Sequence, residues 1–231
     1  MGAPPSAPPR ARAARPRGPW RAAGPALAAL LLLAPPPAPA ATLLFDANWR
    51  EAGWGALAGD AWRRGGDRLS VGTEGAEGPV WRRLPETLWD ARRAAWRWGV
   101  ARRDAGEGAV AEGGARTLAI RFVFAPRDLA RRLEDASPQR LARRPEARAL
   151  VYVWGGAGRP GAIARAEDGR SAVVTLRQGG TGAADEAVDL AADHERAFGE
   201  PPPALVAIGV SADAAGAGGP IEAAVARLAL D

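Results

Sequence analysis

The stretch Thr117-Leu-Ala-Ile-Arg-Phe-Val-Phe124 decides how the chain is read. Leu118, Ile120, Phe122 and Phe124 alternate with Ala119, Arg121 and Val123, the period of two that sends one set of side chains inward and the other outward. Trp96-Arg-Trp-Gly-Val100 repeats the pattern upstream, with Trp96, Trp98 and Val100 on one face. Short segments of the same kind, bounded by Gly, Pro or Asp, occur at 67–72, 79–84, 149–154, 171–177, 205–210 and 224–230. Short strands separated by turn signals predict a mainly β fold, a β-sandwich.

The pattern breaks for helix in two places. Leu129 and Leu133 lie four apart within 127–135, and Pro138 follows Ser137 as a first helical residue would. The segment 185–198 carries acids early, Arg196 late and Gly199 as a stop, which predicts a longer helix. Pro201-Pro202-Pro203 then leads in extended form into the strand at Leu205. The Gly-rich stretches 104–115 and 155–170 read as loops.

The composition excludes several chemistries. No Cys is present, so there is no thiolate nucleophile and no disulfide framework. Every basic residue is Arg, which removes a Schiff-base or P-loop lysine. A single His cannot build a multi-histidine metal cluster. No cofactor or metal is expected.

The net charge of +5 comes from the first forty residues. Arg10, Arg12, Arg15, Arg17 and Arg21 stand there without an acid, and the remaining 26 arginines match the 26 acids. Nucleic-acid binding is therefore not implied. The same arginines form the basic end of a secretory signal, followed by the apolar run from Pro25 to Ala34 and by Ala38-Pro39-Ala40 as a cleavage site. That run of about ten residues is too short to span a bilayer, which takes about 20. The expectation is a signal peptide over 1–40 and one β-sandwich domain over 41–231, without a transmembrane segment, periplasmic or secreted.

Three motifs imitate active sites. Gly156-Ala-Gly-Arg-Pro-Gly161 fits a dinucleotide-binding turn, but Pro160-Gly161 stands where a helix would have to open. Gly209-Val-Ser-Ala-Asp213 resembles a nucleophile elbow without its final Gly, and His194 precedes the Ser. His194 itself, between Asp193 and Glu195, reads as a structural residue. No catalytic residue is nominated.

The nine Trp are the most unusual feature. Trp96, Trp98 and Trp154 sit in apolar strands and read as core. Trp54, Trp62 and Trp89 lie in polar or Arg-rich surroundings, where an exposed ring could stack on a sugar. Arg92, beside Trp89, could pair with an anionic glycan.

In order along the chain, Trp96-Arg-Trp-Gly-Val100, Arg121-Phe-Val-Phe124, Leu150-Val-Tyr-Val-Trp154 and Asp193-His-Glu-Arg-Ala-Phe-Gly-Glu-Pro-Pro202 resemble segments of a bacterial domain of unknown function, family 3047. The resemblance runs from about Phe45 to Leu230. It implies an exported sandwich similar to galactose-binding-like jelly rolls, and it brings no assigned activity. Where the family carries an acidic run after the last-but-one strand, this chain keeps only Asp213, in Ser211-Ala-Asp213-Ala-Ala215. Gly114-Ala115 likewise replaces an acidic pair. A cation site held by those acids in relatives would be weakened here, because Ca²⁺ needs six to eight oxygens. His194 stands where the family usually has an aromatic.

The chain is thus expected to be a non-catalytic binding module for an envelope or extracellular glycan, through Trp54, Trp62, Trp89 and Arg92, with Asp213 as a remnant of the acidic loop. A hydrolase using paired carboxylates on envelope polysaccharide is one alternative. A structural or protein-interaction module of the envelope is the other.

Overall fold

In the computed structural model, residues 40–51, 62–102, 116–214 and 219–231 are described. The chain divides into two units, Met1–Pro36 and Pro37–Asp231, and the described residues belong to the second. Trp54, the leader, the predicted loop 104–115 and Ala215 lie outside them.

Among the described residues, thirteen strands form two sheets. The first sheet holds β11 (Gly182–Asp189), β6 (Arg93–Arg102), β13 (Ile221–Leu230), β4 (Arg68–Thr73) and β3 (Trp62–Gly65) in that order, with β1 (Ala41–Thr42) also paired to β13. The second runs β2 (Arg50–Glu51), β5 (Ala76–Arg83), β12 (Ala204–Asp213), β7 (Arg116–Ala125), β8 (Arg148–Gly155), β10 (Ser171–Arg177) and β9 (Ile163–Arg165). All pairings are antiparallel except β8 with β10. The protein is a β-sandwich.

The alternation in 117–124 explains why the sheets stack. Leu118, Ile120, Phe122 and Phe124 of β7 are wholly buried and face the other sheet. Trp96 of β6 meets Phe122 and Tyr152 of the facing sheet at 5.9 and 5.6 Å between ring centres. Trp98 meets Trp154 edge-on at 5.7 Å. These tilted contacts join the sheets through large rings, whose burial dominates the energetics of such a core.

Two readings of the sequence need correction. The segment 185–198 is helical only in its second half, α3 (Leu190–Phe198), while Gly182–Asp189 is β11. Ala184, Glu186 and Val188 alternate with more exposed neighbours, and the strand pairs with β6 over eight residues, from Gly182↔Val100 to Asp189↔Arg93. Asp189 ends it and caps α3, accepting a hydrogen bond from Ala192 N at 2.9 Å. Gly199 stops α3 as expected, in the left-handed conformation that favours glycine (φ 78°). The predicted loop 155–170 contains β9. Its GxGxxG stretch is a turn leading into that strand, and Ser211 and Asp213 lie in extended β12.

Two short helices, α1 (Arg127–Arg132) and α2 (Pro138–Ala142), follow β7. Arg83 holds α1 to the second sheet, donating to Ala130 O at 2.5 Å and Leu133 O at 3.0 Å. Ser137 caps α2 through its hydroxyl. The outward-facing Ala207 and Val123, in register with Arg83, are fully buried beneath this insertion.

Candidate functional site

One register row further along, the outer face of the second sheet forms the base of a cleft. Trp81, Gly209, Arg121, Val151 and Val173 stand side by side across β5, β12, β7, β8 and β10. They lie on or beside the floor of a cleft of about 520 Å³, together with Ala119 and Ala149. Gln139 and Arg143 of the α2 region form one wall and the turn at Asp168–Ser171 another. Arg116, Ser211 and Asp213 line it as well.

The parallel pairing of β8 and β10 sets the second wall. Arg170 O accepts from Ala149 N at 2.9 Å, which fixes the turn before β10 against β8. Arg170 then ties the two walls together, donating to Arg143 O at 2.8 Å while its Nη2 meets Asp168 Oδ2 at 2.9 Å. Hydrogen bonds from Arg170, the backbone amide foremost, hold the Asp168 carboxyl below its usual range.

The middle of the floor is built on an absent side chain. The Trp81 ring rests against Gly209, where a Cβ would stand 2.6 Å from Cε3. Arg121 Cζ lies over the same ring, 5.9 Å from its centre. Burial pushes the Arg121 guanidinium below its usual pKa, and the neighbouring charge of Arg116 acts in the same direction. Among the described residues the Arg121 guanidinium has no hydrogen bond or ion pair. A second cavity of about 770 Å³ adjoins the first, sharing Trp81 and Gln139 with it and extending to Asn48 and Arg50.

Of the nominated residues that are described, only Asp213 lines this cleft, half-buried at its edge. The exposure expected of Trp62 and Trp89 is overturned. Trp62 is 1% exposed and Trp89 3%. Each satisfies its indole N–H internally, Trp62 on Gly78 O at 3.2 Å and Trp89 on Leu84 O at 3.0 Å. Arg127 and Arg131 cover the Trp89 ring and are held by Asp90 and Glu86. Arg92 turns to the carbonyls of Trp89 and Ala91, at 3.3 and 3.1 Å. These arginines cover and brace the ring, and none of them lines the cleft.

His194 is fully buried, with its ring between Phe124 and Phe198 and its Nδ1 2.9 Å from Glu200 O. Tyr152 donates to Asp193 Oδ2 at 2.7 Å, and Arg196 donates to Oδ1 at 2.8 Å. This buried group anchors α3 to β8 and does not reach the cleft.

Residues 59–229 match the family described as "Protein of unknown function (DUF3047)". The chain belongs to the DUF3047 family. The comparison of this DUF3047 protein with curated proteins found no match. Among solved structures it is similar to the xyloglucanase domain of NopAA, a type three effector from Sinorhizobium fredii in complex with cellobiose. The identity is 11% and the TM-score 0.41, over 84% of this chain and 96% of that one.

The sequence reading did not assign the cleft residues Trp81, Gly209 and Arg121 to a binding site. One signal was available. Arg121 is the only charged residue within the central strand 117–124, and it interrupts an outward set that otherwise reads Ala119 and Val123.

Proposed function

We propose that this DUF3047 protein is a non-catalytic binding module that takes a glycan chain in the cleft on the outer face of its second sheet. The observation that carries the reading is the cleft's make-up. The edges of Ala119, Ala149 and Val151 give the cleft an apolar base against which the C–H side of a sugar ring can lie, and Gln139, Ser171, Ser211 and the arginines of the rim can meet hydroxyls. Its volume of about 520 Å³ falls in the range of ligand sites. Continuation past Trp81 into the second cavity favours an extended chain over a single small molecule.

A binding role fits the cleft's acids better than hydrolysis. Glycoside hydrolysis needs one carboxyl kept protonated as the acid. The carboxylates lining the cleft are Asp168 and Asp213, and both oxygens of Asp168 are engaged by Arg170, so Asp168 is not free to act as that acid or as the second carboxylate. The leader over 1–40 supports action outside the cytoplasm, which N-terminal sequencing of the mature protein would check. Among the described residues no helix is long and apolar enough to cross a membrane.

Calorimetric titration of the full chain with envelope and extracellular oligosaccharides tests the proposal. Ser211 is half-buried and lines the cleft, so Ser211→Trp fills it without disturbing the core. Saturable binding that Ser211→Trp abolishes is the expected result. Binding that Ser211→Trp leaves intact would place the ligand elsewhere, and released sugar would make the protein a hydrolase.

A further inference from the structure

The arginines near the cleft differ in how their charge is met. Arg170 is bound by Asp168, Arg196 by Asp193, and Arg83 by two helix carbonyls. Arg121 has no such partner. Its nearest compensating charge is Asp168, whose oxygens are taken by Arg170. Arg116 and Arg143 line the same cleft, exposed and without an ion pair among the described residues.

The Arg121 guanidinium is half-buried, and its nitrogens, which no acceptor among the described residues meets, keep an opening onto the cleft. Arg116 adds repulsion from the same side. Trp81 lies beneath Arg121 and leaves the planar fork of N–H donors to be met from the cleft. An anion entering the cleft would satisfy the donors and relieve the repulsion together.

We propose that the glycan bound here is acidic, and that a carboxylate or sulfate group on it docks on Arg121, flanked by Arg116 and Arg143. This inference rests on the cleft being the glycan-binding surface. Trp81 and Gly209 then serve as positioning residues. The glycine lets the indole lie against the sheet, and the indole carries the guanidinium. Charge-assisted bonds of this kind are about twice as strong as neutral ones and weaken in salt when they reach solvent.

The test titrates the full chain with three sets of oligosaccharides: oligouronates of two linkage types, the same oligomers with carboxyls reduced to alcohols, and sulfated forms of those neutral oligomers. Arg121→Gln and Arg121→Lys are run beside the wild type, with a thermal transition recorded for each. An acidic set should bind about tenfold or more tightly than the neutral set, with affinity falling as salt rises. Arg121→Gln should erase that preference, while Arg121→Lys keeps part of it. The uronate and sulfate arms identify the acid group. Equal binding of acidic and neutral oligomers would overturn this inference and leave the glycan reading standing. No binding in any set would remove both. If Arg121→Gln fails to fold, the wild-type preference and the Arg121→Lys titration decide.

Discussion

Trp81 and Gly209 are register partners on neighbouring strands, and the ring of one occupies the space a side chain on the other would need. The glycine therefore determines the cleft: it seats the indole, and Arg121 lies over the indole in turn. Gly209→Ala should cost about 1–3 kcal/mol, the usual penalty for overpacking, because the methyl meets ring carbons. Urea unfolding measures the loss. A stable variant with unchanged Trp fluorescence would show that the indole does not rest where described.

Trp62 and Trp89 should matter for stability and not for ligand. Trp62→Phe removes the donor to Gly78 O and part of a fully buried ring. A loss of about 1–3 kcal/mol in urea unfolding is expected, with unaltered affinity for any oligosaccharide that binds. A ligand-binding defect at full stability would restore the ring to the site.

Much of the fold was legible because side-chain alternation marks the strands at 117–124 and 96–100, and a short apolar run closed by Gly155 marks the one at 149–154. The strand β11 was not. Its sequence, Gly-Ala-Ala-Asp-Glu-Ala-Val-Asp, holds a single β-branched residue among small and acidic ones, and its strand state comes from pairing with β6. The tryptophans misled for a related reason. Polar neighbours in sequence signal exposure only when the ring points with them, and in β3 the adjacent Arg63 points to solvent while the Trp62 ring enters the core and Arg64, on the same face as the ring, pairs with Glu51. The cleft was illegible because its floor is assembled across five strands by register, and its most telling residue is a glycine.

His194 predicts a pH dependence of stability. Burial lowers its pKa, with smaller pushes the same way from Arg148 and Arg92, against the opposing Glu200 carbonyl and charge. The unfolded chain takes up a proton below about pH 6.5 that the folded protein resists. Stability is therefore full above that pH and falls as pH drops below it. Melting temperature followed from pH 8 to 5.5 should decline, and His194→Phe, an aromatic between Phe124 and Phe198, should flatten the decline. An unchanged slope in the variant would assign the effect to other groups.

Tyr152 and Asp193 predict a coupled loss. Tyr152→Phe keeps the ring packed on Trp96 and Phe122 but leaves Asp193 Oδ2 without its buried donor. The expected cost is about 1–3 kcal/mol, read as a lower urea midpoint with unchanged slope. A midpoint equal to that of the wild type would mean that Arg196 alone satisfies the carboxylate.

The most direct measurement is amide chemical-shift mapping of the full chain titrated with acidic oligosaccharides. The shifts should gather on the cleft, at the amides of Ala119, Arg121, Val151, Ser171, Gly209 and Ser211, and fade toward the outer face of the other sheet. Shifts centred on that other sheet, or around Trp62 and Trp89, or none at saturating oligosaccharide, would contradict the assignment of the cleft as the binding surface.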